Sequence, residues 1–303
     1  MLDYIWKFYK HQNLLKLQKN EEEISFFQEL LSGDIWQDFE ARKELMDYVI
    51  DFCEENGLDE ALAWMCYNLG FHYYEFANYK KAIELHKVSR DIFMNSGNKN
   101  GLAHAYNGLL TIYCQNGQHE LANQIAISAI DIARELGDRV TIVKLLLNAS
   151  INYIMAGSNM EAKAVLDYIL KEYRLDILNE NGKIVFNKTL AEVEINLGNF
   201  DSAYTVLVDA IELNKRMRST LLASEMSKLL AMYYGKIGNI NGAETEFAHS
   251  FQIASDHKHL FEECETLIEW AKFRFTYKLD NEAIEPLKKA LDKAEKNNFV
   301  RLI

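Results

Sequence analysis

The 303-residue sequence predicts an all-α protein, a right-handed α-solenoid of tandem helix-turn-helix repeats. Three observations carry this. The chain holds one proline and 14 glycines, too few breakers for a β fold, which needs a turn every 8–12 residues or so. Alanines return at near-constant spacing, at Ala82, Ala122, Ala162, Ala203, Ala243 and Ala283, with gaps of 40, 40, 41, 40 and 40 residues. A glycine stands five residues before four of them, at Gly117, Gly157, Gly198 and Gly238.

The columns place the elements in order. The glycines suit the left-handed position that ends a helix, so a first helix runs roughly from Ala63 to Phe76 and recurs in each unit. The residue after that position is often Asn or Ser (Asn78, Ser158, Asn199, Asn239), a good cap for a second helix. That second helix is apolar at helical spacing, as in Ala122, Ile125, Ala126, Ala129, Ile130 and Ala133. Twelve residues before the alanines stand Gly70, Ser150, Ala191, Ala231 and Ala271, with Leu110 the exception. Nine before them stand Tyr73, Tyr113, Tyr153 and Tyr234, broken by Glu194 and Arg274. Four after them come His86, Ala126, Leu166, Leu207, Phe247 and Leu287. Small residues on both helices let the axes approach, and a lone pair cannot bury its apolar face, so neighbours must stack. The single 41-residue gap is assigned to a longer turn at Asn179-Glu180-Asn181-Gly182.

These offsets resemble the tetratricopeptide repeat, most clearly in Asn68-Leu69-Gly70-Phe71-His72-Tyr73 and Asn78-Tyr79-Lys80-Lys81-Ala82. The resemblance covers about six units over residues 61–303. The period departs from the family's 34 residues, and the proline that commonly closes a unit is missing. Units of about 40 residues resemble the variant in bacterial signalling proteins, including peptide-pheromone receptors and the sensor halves of diguanylate cyclases.

Residues 1–60 are expected to form a helical cap, with a degenerate repeat over about 22–58, and Trp6 packs on the first unit or forms a homodimer surface. The segment Asn297–Ile303 aligns with the opening of a further first helix, so the array is expected to continue beyond Ile303. Pro286, inside the last second helix, is expected to kink it.

The net charge of −12 excludes a phosphate-neutralising surface. The one basic cluster, Lys215-Arg216-Met217-Arg218, reads as cations suiting a helix C-terminus. No run approaches 18 apolar residues and no basic-then-apolar leader opens the chain, so neither nucleic acid nor membrane is an expected partner and the cytoplasm is the expected location. Cys53, Cys66, Cys114 and Cys264 are too far apart for a metal or redox motif. His257 and His259 read as a solvated loop, and no nucleophile elbow, phosphate loop or zinc-protease motif appears. The chain is therefore expected to be no enzyme, and no cofactor or metal is expected.

Binding is the expected activity, on the concave face that the first helices would line. The residues assigned to that face are Trp64, Tyr67, Phe71 and Tyr74, then His104, Asn107, Thr111 and Cys114, then Lys144, Leu147, Ile151 and Ile154. They continue through Val185, Lys188, Glu192 and Ile195, then Glu225, Lys228 and Met232, and finally Glu265, Ile268, Lys272 and Phe275. Aromatic residues at one end suit a protein or extended peptide. Alternating Lys and Glu at the other end favours a polar or acidic segment. The resemblance implies a regulatory part of a larger signalling protein, such as one with a diguanylate cyclase output. It also fits a stand-alone peptide-pheromone receptor or response-regulator phosphatase-like protein. A structural scaffold is the third reading.

Overall fold

The structure, a computed structural model, describes residues 47–296 apart from 48, 52, 56, 76 and 77. The expectations for Trp6, for the N-terminal cap and for the segment after Lys296 lie outside the described residues. Among the described residues there is no strand. From Asp59 to Lys296, twelve α-helices follow one another in six pairs: α1 (Asp59–Glu75) and α2 (Tyr79–Ser96), α3 (Lys99–Gln115) and α4 (His119–Glu135), α5 (Arg139–Met155) and α6 (Asn159–Glu172), α7 (Glu180–Leu197) and α8 (Phe200–Met217), α9 (Thr220–Lys236) and α10 (Ile240–Asp256), α11 (Leu260–Thr276) and α12 (Asp280–Lys296). The fold class is the predicted one, all-α with tandem helix-turn-helix units. None of these helices is long and apolar enough to cross a membrane.

The chain falls into two compact units. Of the described residues, the first takes those up to Ile112 together with Ile127–Leu136, and the second takes Tyr113–Ala126 and those from Gly137 on. In the first, Ala63, Phe93 and Ala105 form a core with Trp64, Ile92 and Leu102 against it. In the second, Leu207, Met226 and Leu229 gather between α7, α8 and α9, and Phe247 and Phe273 between α10 and α11. All six column alanines are completely buried. Leu287, however, the last member of the column four residues after them, is 41% exposed on α12.

The left-handed residues are more regular than the glycine column suggested. Gly117, Gly157, Gly198 and Gly238 all have φ between 71° and 81°, and Lys278 takes their place at 61°. The second helices close the same way, at Gly97 and Gly137, and then at Arg218 (56°) and Lys258 (58°). Each of Gly238, Lys258 and Lys278 sits in a Schellman turn. At Lys258, for example, the His259 amide reaches back to the Ala254 carbonyl at 2.8 Å. Side chains with a Cβ are strained there. Lys258→Gly and Lys278→Gly are therefore each expected to raise stability by about 0.5–1 kcal/mol, seen as a higher urea midpoint with an unchanged slope.

The caps are mixed. Asn78 and Asn239 accept from the amides of Lys81 and Gly242 as expected, whereas Ser158 and Asn199 make no side-chain cap bond. The extra residue of the 41-residue gap lies elsewhere than predicted. Glu180, Asn181 and Gly182 form the first turn of α7, capped by Asn179. The lengthening is in the preceding connection, where a 3₁₀ turn spans Leu175–Ile177.

Both residues that break the tyrosine column are clips. Glu194, 5% exposed, accepts from Asn199 Nδ2 at 2.6 Å and from Ser202 Oγ at 3.2 Å, which is why Asn199 does not cap α8. Arg274 forks onto Glu244 at 2.8 and 2.6 Å and lies 4.3 Å from the centre of the Trp270 ring. Helix α12 runs on through Pro286, which has no N–H for the Glu282 carbonyl. Arg274 Nη1 donates to that carbonyl at 2.9 Å. The four cysteines are all buried, and burial pushes the thiols of Cys66 and Cys264 up to about 12 and about 11.

Candidate functional site

In the first unit, Trp64, Tyr67, Phe71 and Tyr74 follow one another at helical spacing along α1 and are all half-buried. They pack edge to face. Tyr67 and Phe71 are 5.0 Å apart, and Trp64 meets Phe93 of α2 at 5.0 Å and His104 of α3 at 5.5 Å. Behind them lies His86, wholly buried, 4.8 Å from Phe71 and 5.2 Å from Tyr67. Neither of its ring nitrogens has a hydrogen-bond partner among the described residues. Burial holds its pKa down at about 3 and pushes the Tyr67 hydroxyl up to about 12. Asn107 and Thr111 are half-buried on α3, and the Thr111 hydroxyl donates back to the Asn107 carbonyl at 3.0 Å. The aromatic residues are thus partly core and partly surface.

In the second unit, the first helices wall a cavity of about 560 Å³. Ile151 and Ile154 of α5 line it, with Lys188 and Glu192 of α7, Glu225, Lys228 and Met232 of α9, and Glu265, Ile268 and Lys272 of α11. Ten residues assigned to the binding face from the sequence therefore meet in one hollow. Lys144 does not join them and is exposed on α5. Leu147, Ile195 and Cys114 are instead buried in the core. Sequence reasoning missed Gln115, Met155, Asn196, Leu229 and Glu269. They stand three or four residues from predicted members, and a wider stripe on each first helix would have included them.

The charges in the cavity are arranged as a ladder. Lys188 Nζ donates to Glu225 Oε2 at 2.5 Å. Lys228 Nζ donates to Glu265 at 2.8 Å and to Glu262, buried behind the wall, at 2.9 Å. Burial opposes the charge on both lysines, but the facing carboxylates more than offset it and hold both above the ordinary lysine value. Burial pushes the Glu262 carboxyl up, against the opposing pull of Lys228. Lys272 pairs with Glu269 at 2.7 Å. The lysines expected to attract an acidic segment are thus already engaged. Glu192 differs: it receives no hydrogen bond or ion pair from any described residue. Burial raises its pKa, with Lys188 and Lys228 acting against the rise.

Residues 59–135 match the family model of the tetratricopeptide repeat. No curated protein sequence matches the chain significantly. Among solved structures, the chain is similar to the Rap conjugation gene regulator of the plasmid pLS20 in complex with the Phr peptide, at 16% identity and a TM-score of 0.69, over 87% of this chain and 73% of that one. It is also similar to aspartyl phosphate phosphatase F from Bacillus subtilis, at 13% identity and a TM-score of 0.64, over 96% of this chain and 82% of that one. A third is the apo form of the quorum sensor NprR from B. thuringiensis, at 14% identity and a TM-score of 0.59, over 94% of this chain and 92% of that one. At these identities the likeness establishes a shared helical-repeat fold.

Proposed function

We propose that the chain is a peptide-binding regulator and that the cavity of its second unit receives a cationic group of the peptide. Glu192 carries the reading. It is the cavity carboxylate that no described donor engages, and its neighbours Glu225 and Glu265 already hold lysines. An arginine or lysine side chain, or a peptide amino terminus, would satisfy it by a charge-assisted hydrogen bond. Ile151, Ile154 and Met232 supply apolar wall beside it. The aromatic face of the first unit is a separate candidate surface for apolar side chains.

Of the readings the repeat raised, the stand-alone receptor or response-regulator phosphatase-like protein has the support of the similar structures. One of these was solved with a peptide and another is a quorum sensor. None of those similar structures is described as part of a diguanylate cyclase. The test is affinity selection from a randomised library of amidated pentapeptides, read by mass spectrometry. Arginine- and lysine-containing peptides are expected to be enriched on the wild-type chain. Glu192→Gln, which keeps the shape, is expected to reduce their retention about tenfold. Selection that ignores charge, or favours acidic peptides, would remove the reading.

A further inference from the structure

We infer that the second unit carries another ligand site, a hollow between α8, α9 and α10 that takes a single-chain carboxylate amphiphile. The hollow measures about 490 Å³, within the range of small-molecule sites. Met226 and Leu230 of α9, Ile211 of α8 and Ile253 of α10 give it an apolar lining. Its cationic side comes from Lys215 and Arg218. At 3.6 residues per turn, Met226 and Leu230 lie on the face of α9 opposite Glu225, Lys228 and Met232, so this hollow and the Glu192 cavity are on opposite sides of one helix.

The basic cluster of this acidic chain is what gives the site its selectivity. Arg216 is engaged by Glu180 at 3.1 Å and Lys215 by Glu212. Arg218 makes no ion pair with a described residue. It occupies a left-handed turn position, φ 56°, of the kind Gly97 and Gly137 fill after earlier second helices. The turn is fixed by Asn214, nearly buried, whose Nδ2 donates to the Ser219 carbonyl at 2.9 Å and whose Oδ1 accepts from the Ser219 amide at 3.2 Å. A guanidinium on a rigid turn, at the edge of an apolar hollow, matches the fork of one carboxylate. The Glu246 carboxylate, also lining the hollow, disfavours a dianionic head such as phosphate. The apolar lining then takes the tail.

The probes are decanoate, decanol and decyltrimethylammonium, each kept below its micelle concentration. Binding is followed by the carbon-13 methyl signal of Met226 in the full chain. Decanoate is expected to shift that signal saturably, with an affinity about tenfold above either of the others. Arg218→Gly, which the left-handed turn accommodates, is expected to bring decanoate down to the level of decanol and to leave decanol unchanged. Glu192→Gln is expected to change none of these affinities, which separates this site from the peptide reading. The inference is overturned by equal affinities for the three heads, by a Met226 signal that does not respond, or by decanoate binding that Arg218→Gly leaves intact.

Discussion

Replacing Gly108 with alanine is expected to lower stability by about 3 kcal/mol, at the upper end of what overpacking costs. The reason is His86. Its ring lies between α1 and α3, and a Cβ on Gly108 would fall 2.3 Å from its Cε1 and 2.4 Å from its Nδ1. The ring cannot retreat, because a Cβ on Gly70 would already lie 2.6 Å from its Cδ2. Urea unfolding followed by far-ultraviolet circular dichroism measures the loss. His86→Ala in the Gly108→Ala background is expected to recover much of it, and a double-mutant cycle with no coupling would refute the clamp. The same ring has a pH signature. Its folded-state pKa of about 3 lies below the ordinary 6.5, so the unfolded chain takes up the proton first. The stabilising contribution of neutral His86 is complete above about pH 6.5 and declines by about 1.4 kcal/mol per pH unit as the pH falls toward 3. His86→Leu is expected to flatten that limb between about pH 6.5 and 5, above the main carboxylate titrations.

Lys228→Met is expected to cost about 3–5 kcal/mol, the range for removing one partner of a buried ion pair. Lys228 is 11% exposed and holds two carboxylates, of which Glu262 is 4% exposed. One oxygen of Glu262, Oε1, already has no hydrogen-bond partner among the described residues. Without the lysine nothing offsets burial, and the Glu262 pKa rises further. The folded state then holds its proton to higher pH than the unfolded state does, so the loss from Lys228→Met is expected to grow as the pH is raised from about 5 to 8. Glu262→Gln in the same background is expected to return part of the stability and remove the pH dependence. Hydrogen exchange restricted to α9 and α11 would locate the effect. A loss independent of pH would show that packing of the lysine stem is what matters.

Much of this architecture was legible because its cause is periodic. An alanine that must vanish between helices returns at every unit, and all six are fully buried. The wall of the cavity was legible for the same reason: residues three and four apart on the first helices of the second unit converge on it. What escaped was non-periodic. Gly108 is two residues away from Leu110, which holds the small-residue column, yet Gly108 is the one that meets the histidine. The left-handed ends of the second helices escaped because lysine and arginine replace glycine at Lys258 and Arg218. The chemistry of the cavity was misread because spacing along one helix says nothing about partners on the next. Lys188 and Lys228 look available in sequence and are engaged in three dimensions. Glu194 and Arg274 looked like lapses in a tyrosine column and are clips.

The bond from Arg274 to the Glu282 carbonyl changes how α12 comes away from α11. A helix held by few buried contacts is ordinarily among the first to open. Here Pro286 has left a carbonyl whose described donor belongs to α11, and that donor is also forked onto Glu244 of α10. Lifting α12 away therefore exposes more than its own apolar stripe: it breaks a polar chain running through three successive helices. Opening of α12 is thereby tied to α10 and α11.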